Sequence, residues 1–220
     1  MFVSNGTVIG TRIIQDLTVG SGSTTFRAPR VLNNTLFVHV GFTGTKLYKT
    51  TGDYSSITPI ALVKDYNTIS SSVIYSGRPI NIINNKLFIP VFDQVLDSGY
   101  FITSDGTSVG TIPMNRKWYR FISYVFPSDG NKFYFRTNTE AKLWVSDGTA
   151  LGTNLIPGTI IPNSVSNGYV KQGDLFFAGT PQGQSNKHLY KTDGVTTTRI
   201  QDSPSTNFEL YAGFYNMGAK

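Results

Sequence analysis

Apolar residues in this chain fall in short runs separated by polar, turn-forming stretches. Val31-Leu32-Asn33-Asn34-Thr35-Leu36-Phe37-Val38 reads as strand, turn, strand. Ile82-Ile83-Asn84-Asn85-Lys86-Leu87-Phe88-Ile89 reads the same way, as do Tyr124 to Phe135 around Pro127-Ser128-Asp129-Gly130 and Val170 to Phe177 around Gln172-Gly173. Runs this short, rich in β-branched and aromatic residues and bounded by Gly, Asn and Asp, predict strands joined as hairpins. No segment predicts a helix.

A second hairpin follows each of these and repeats more strictly. Gly6, Gly52, Gly106, Gly148 and Gly194 can be superimposed. Four residues before each stands Phe2, Tyr48, Ile102, Trp144 or Tyr190, and two before stands Ser4, Thr50, Ser104, Ser146 or Thr192. Asn5, Asp105, Asp147 and Asp193 immediately precede four of the glycines, and the second copy is degenerate, with Thr51-Gly52-Asp53. Three copies continue to a further Gly-Thr: Gly10-Thr11, Gly110-Thr111 and Gly152-Thr153. Asn-Gly and Asp-Gly are expected to supply the positive φ angles of a tight hairpin turn.

The glycine spacings are 46, 54, 42 and 46 residues. Two hairpins per period make four strands, the content of one propeller blade. The predicted fold is therefore all-β, a five-bladed β-propeller forming a single domain, 1-220. Outer-strand hairpins (strands c and d, counting a to d from the axis) fall near 1-14, 47-60, 101-113, 143-156 and 189-200. The chain enters at a c–d hairpin. Phe208 to Asn216 is expected to supply inner strands to that same blade, which closes the ring and leaves no open edge. Only 32 residues, counted from Gly194 through Lys220 and on to Gly6, are left for this closing blade, so it is short.

Composition narrows the partners. Hydrophobic residues make up 39% of the chain, enough for a core. The net charge of +6 favours anionic surfaces, but the basic residues are scattered rather than gathered into the stripe of a nucleic-acid binder. The chain has no cysteine, which excludes disulfides and thiolate metal sites. No apolar run has the length of a membrane span, and no Sec-type signal opens the chain.

Leu143-Trp144-Val145-Ser146-Asp147-Gly148-Thr149-Ala150-Leu151-Gly152-Thr153 resembles the bacterial repeat named ELWxxDGT, with Lys142 in place of its Glu. Phe101 to Thr111 and Phe2 to Thr11 are weaker copies. The resemblance implies a propeller-like repeat and an exposed location, as in large surface or secreted bacterial proteins. It implies no catalytic residue. The turn is also similar to the Asp-box of sialidase-type propellers, which lacks this second Gly-Thr. Tachylectin-type lectins share the period but not the motifs.

No catalytic site, metal site or cofactor is expected. Asp53, Asp105, Asp129, Asp147, Asp174 and Asp193 fall in turns, where carboxylates bond nearby N–H groups. Asp93 and Asp97 share one loop rather than facing each other as glycosidase carboxylates do. His39 and His188 fall in separate strands and read as packed residues. Binding is the better prospect, through the segments that link one blade to the next: Asp16 to Arg27, Lys64 to Gly77, Met114 to Arg120, Gly158 to Ser164 and Asp202 to Asn207. Asn115, Arg116, Trp118, Tyr119 and Arg120 combine rings with planar donors, as sugar recognition requires, and Asp65 with Tyr66 is a weaker pair of the same kind. Trp118 could equally fill a gap between blades, and Trp144 sits at a repeated core position. The expected function is a non-enzymatic, lectin-like module that binds glycans or a protein partner at a cell surface, outside the cell or on a virus particle. The alternatives are a structural role in a surface layer, filament or virion, and a glycoside-processing enzyme.

Overall fold

The computed structural model describes residues 2–4, 6–13, 17, 24–41, 44–51, 60–139, 141–158, 160–162 and 168–201. All sheets are antiparallel. A two-stranded hairpin, β1 (Phe2–Val3) with β2 (Arg12–Ile13), comes first. The first full sheet runs β3 (Phe26–Leu32), β4 (Thr35–Val40), β5 (Lys46–Thr50), β6 (Ala61–Asp65). After a 3-10 turn at Tyr66–Thr68, the second sheet uses β7 (Val73–Tyr75) and β8 (Asn81–Ile83), both on β9 (Lys86–Asp93), then β10 (Ser98–Ser104) and β11 (Ile112–Tyr119). The third runs β12 (Ile122–Val125), β13 (Phe133–Thr137), β14 (Leu143–Ser146), β15 (Asn154–Leu155). The fourth places β16 (Ile160–Pro162) and β17 (Tyr169–Lys171) on β18 (Asp174–Pro181), followed by β19 (His188–Thr192) and β20 (Thr197–Gln201).

Neighbours in each sheet are neighbours in the chain, as hairpin-by-hairpin growth dictates, except that β7 and β8 both pair with β9, and β16 and β17 both pair with β18. Each of the four larger sheets therefore holds one weak and one strict hairpin of the repeat. The degenerate turn at Gly52-Asp53 and the Phe208 to Asn216 closure lie outside the described residues.

Apolar layers fill the spaces between successive sheets. Phe37 and Leu47 of the first sheet pack with Leu87, Ile89, Tyr100 and Ile102 of the second. Phe88, Phe101 and Trp118 meet Phe133, Phe135 and Trp144 of the third. Tyr134 and Leu143 meet Leu175, Phe177 and Tyr190 of the fourth. A strand buried on both faces needs apolar residues at every position, and β9 has them from Leu87 to Phe92.

The strict turn is wider than a two-residue hairpin loop. Residues 105–111 join β10 to β11, and of the Asp-Gly pair only Gly106 has positive φ, at 91°. Side chains build the rest. The Ser104 hydroxyl lies 2.7 Å from the Thr111 hydroxyl and accepts from Gly106 N–H at 3.1 Å. Asp105 accepts from Thr107 N–H and hydroxyl at 2.8 and 2.7 Å. Thr107 in turn accepts from Gly110 N–H at 2.9 Å. The loop of residues 147–153 repeats every one of these bonds. This explains the second Gly-Thr: a Cβ on Gly152 would lie 2.0 Å from the Asp147 carboxylate, and Thr153 closes the network.

The turn glycine also locks neighbouring sheets together. A Cβ on Gly106 would sit 2.8 Å from Phe37 Cζ of the preceding sheet, and one on Gly148 would sit 2.5 Å from Phe88 Cζ. Lys49 donates to Gly106 C=O at 2.8 Å, Asn84 to Asp147 C=O at 3.3 Å and Lys132 to Asp193 C=O at 2.5 Å, so each turn is held by the sheet before it. Gly148→Ala combines a positive φ of 92° with a clash against a ring, and it is expected to cost roughly 2–3 kcal/mol. Urea unfolding measures it, and adding Phe88→Leu should recover part of the loss.

Candidate functional site

The segment Met114 to Arg120, read from sequence as a link between blades, is strand up to Tyr119. Its alternation shows why. Met114 and Trp118 are buried and Arg116 half-buried, whereas Asn115, Lys117 and Tyr119 are exposed. The strand period of two thus divides the expected binding residues between two faces.

The inward set is structural. Trp118 is 8% exposed and packs edge-on against Phe101, Phe135 and Trp144, with centroids 6.1, 4.9 and 5.6 Å away. The Arg116 guanidinium lies 4.5 Å from the Trp144 ring centre and 5.8 Å from that of Trp118, and it donates to Thr153 C=O at 2.6 Å. It therefore ties the second sheet to the third. Of the two readings of Trp118, the structure shows the gap-filling one. Trp144 is core, as its repeat position implies.

Tyr66 is likewise fully buried rather than available to a ligand. Its hydroxyl lies 2.7 Å from His39 Nε2, and the His39 ring stacks on Tyr75 at 4.4 Å. Burial pushes His39 down to about 3 and raises Tyr66 well above its ordinary value, with Tyr75 adding to the second effect. Asp65 accepts from Asn67 N–H at 3.0 Å and pairs with Lys46 at 3.7 Å, so it caps the 3-10 turn. His188 sits in β19 with Nδ1 2.7 Å from an Arg199 nitrogen.

Asn115 and Lys117 of the outward set border a cleft between the second sheet and the link that precedes it. Ile69 and Ser70, from that link, form one wall. Pro113, Met114, Asn115 and Lys117 of β11, with Asp93, Leu96 and Tyr100, form the rest of a cavity of about 580 Å³. Lys117 Nζ stands 5.1 Å from the Tyr100 ring centre. Asp93 Oδ1 accepts from the Ser72 hydroxyl at 2.6 Å and from the Val95 and Leu96 N–H groups at 3.1 Å each. Burial alone would raise the Asp93 carboxyl, but these bonds and the Lys117 charge hold it below its ordinary value. Burial and the Asp93 charge push Tyr100 up to about 12. At neutral pH the cleft therefore presents a carboxylate, an ammonium, a neutral phenol and an amide.

Beyond the cleft, Tyr119 is 59% exposed, with the Arg120 guanidinium 5.5 Å from its ring centre. Arg120 has positive φ, at 61°, and pairs with Asp97 at 3.8 Å. Asp93 and Asp97 are thus each engaged by their own hairpin and its flank. Among the described residues no group of three His, Asp or Glu converges on a metal site. Nor is any described helix long and apolar enough to cross a membrane. Asp93, Tyr100 and Lys117 were not expected at the site. The period-two alternation from Met114 to Tyr119 could have pointed to Lys117, but Asp93 and Tyr100 reach it only through sheet pairing.

No family model matches the chain, and no curated protein does. Among solved structures it is similar to the crystal structure of the tricorn protease, at 12% identity and a TM-score of 0.42, over 88% of this chain and 20% of that one. It is also similar to the crystal structure of a thermostable family-43 glycoside hydrolase, at 9% identity and a TM-score of 0.40, over 86% and 76% of the two chains. This chain thus spans about a fifth of the tricorn protease chain.

Trp118→Ala is expected to destabilise the fold by about 3–5 kcal/mol, because it empties a shared aromatic layer. Denaturant unfolding measures that loss. His39 makes stability depend on pH. Its folded pKa of about 3 lies below the unfolded value, so the unfolded chain binds the extra proton. Its contribution is complete above pH ~6.5 and falls by up to roughly 1.4 kcal/mol per unit as pH drops from there toward 3. Unfolding followed across that window should show the slope, and His39→Phe should flatten it.

Proposed function

We propose that this chain is a five-bladed β-propeller acting as a non-enzymatic binding module, exposed outside a cell or on a virus particle, that recognises glycans. The five-blade reading is supported by four sheets of matching strand order and a separate β1–β2 hairpin. That hairpin carries the same Ser-Gly-Thr turn, Ser4 to Thr11 at 2.7 Å, and would be the outer half of the fifth blade. The binding reading is carried by one observation: Asn115, Lys117 and Tyr119 form an outward row on β11 beside the cleft that holds Asp93. Sugars are bound by hydrogen bonds to hydroxyls and by stacking of C–H groups on an exposed ring. The row offers an amide, an ammonium and a ring in succession, and Asp93 adds an acceptor.

A second reading, assembly with sister molecules, is favoured by a different feature. Val109 and Leu151 occupy the same position of their turns and are 89% and 94% exposed, and Ile9 matches them. Single exposed aliphatics are ordinary, but their recurrence at one turn position gives a regular set of contact points.

A glycan array followed by titration separates the two. Tyr119→Ala and Asn115→Ala should each weaken glycan binding about tenfold or more while leaving the far-ultraviolet spectrum unchanged. Absence of any glycan ligand, together with self-association that Val109→Asp and Leu151→Asp abolish, would replace this reading with assembly.

A further inference from the structure

The β1–β2 hairpin carries the strict turn in full. Ser4 Oγ lies 2.7 Å from Thr11 Oγ1 and accepts from Gly6 N–H at 3.0 Å, and Thr7 accepts from Gly10 N–H at 2.9 Å. Gly6 keeps the positive φ, at 88°. What differs is the cover. Ser104, Ser146 and Thr192 are fully buried, as are Thr111 and Thr153, whereas Ser4, Gly6 and Thr11 are exposed. A Cβ on Gly106, Gly148 or Gly194 would lie within 3.1 Å of a side chain of the sheet before, but one on Gly6 would meet nothing within 4 Å. A docking turn is thus built and left undocked.

The fourth sheet shows the other half of the same contact. Phe37, Phe88, Tyr134 and Phe176 are equivalent, because each pairs with the residue just before the Ser or Thr that opens the turn. The first three face the next sheet and are at most 3% exposed. Gly106 meets Phe37, Gly148 meets Phe88, and the Tyr134 hydroxyl donates to Thr192 C=O at 3.2 Å. Phe176 is only half-buried. Leu189 repeats the comparison, half-buried where its equivalents Leu47, Phe101 and Leu143 are at most 5% exposed. Lys191 stands where Lys49 does, but Lys49 donates to the Gly106 carbonyl and Lys191 pairs with Asp174 at 2.7 Å. The fourth sheet therefore has the ring, the leucine and the lysine that receive a turn elsewhere in the chain, and among the described residues no further sheet follows it.

We infer that the β1–β2 turn of one molecule docks on this face of the fourth sheet of a second copy of the chain, with Gly6 over Phe176 as Gly106 lies over Phe37. Covering half-buried apolar side chains favours the contact. A turn and a receiving face on different parts of one chain form a heterologous pair, which joins copies head to tail. The partner is a second copy because the turn, although complete, touches nothing of its own chain at Gly6. The inference rests on reading the hairpin as the outer half of a fifth blade, and it completes that blade from another molecule. It involves neither the β11 cleft nor the aliphatic tips Val109 and Leu151.

Light scattering of the full chain across a concentration series tests it, with two variants that each break one side of the contact. Gly6→Asn adds a side chain that tolerates positive φ, so the hairpin keeps its turn while the ring is held off. Phe176→Glu places a charge on the receiving face. The parent mass should rise with concentration in steps of one chain, as an open heterologous contact requires. Each variant alone should associate at least about tenfold more weakly with its far-ultraviolet spectrum unchanged. An equimolar mixture of the two should form a two-chain species and nothing larger, because one intact turn and one intact face remain. A parent that stays a single chain would overturn the inference. If Gly6→Asn then lowers the melting temperature, the turn docks on its own chain and the five-blade reading survives; if it does not, that reading of the hairpin falls as well. Association that both variants leave unchanged would also overturn the inference.

Discussion

Sheets in this protein hold one another through the point where a turn glycine meets a ring of the sheet before it. Gly106 against Phe37 and Gly148 against Phe88 are the two clearest cases. The glycine serves two needs at once. Its positive φ turns the chain, and its missing side chain lets the ring approach to van der Waals contact. Around it, Ser, Asp and two Thr side chains satisfy the backbone of a loop too wide for ladder bonds of its own. The result is a rigid loop aimed at the preceding sheet, so the second and third sheets each carry a device that docks them onto the sheet before.

That arrangement decides where recognition can occur. The loop face is committed to holding the sheets together, apart from its projecting aliphatics. Between sheets, the aromatic layers are closed, and the residues that fill them, Trp118, Trp144 and Arg116 among them, are not free for ligands. Openings remain where strands end or break. One is the cleft beside β11, where a link between sheets stands off from the outer strand. The other lies between β3 and the segment joining β7 to β8. The two differ in charge: the first mixes Asp93 with Lys117, and the second gathers arginines.

The strand pattern, the hairpin pairing and the repeat were legible in the chain because they are local. An apolar run, an Asp-Gly and a Ser-to-Thr spacing are read within a few residues, and the described strands pair antiparallel in four sheets of the same hairpin order. The core role of Trp144 was legible for the same reason, since it recurs in register with Tyr48, Ile102 and Tyr190. Tyr66 was misjudged as accessible because nothing near it in sequence announces His39 or Tyr75, its partners across two sheets. The segment from Asn115 to Tyr119 has the composition of a loop and the alternation of a strand, and the structure makes it strand.

The sequence by itself thus determined the repeat, the all-β class and the residues that make each turn, since those depend on contacts a few residues apart. Only the tertiary structure decided which side of β11 faces solvent, why the second Gly-Thr is needed, and that Arg116 reaches from the second sheet to Trp144 and Thr153 of the third. These depend on residues brought together from different sheets. Such pairings follow from how sheets stack, and no pattern within one repeat records them.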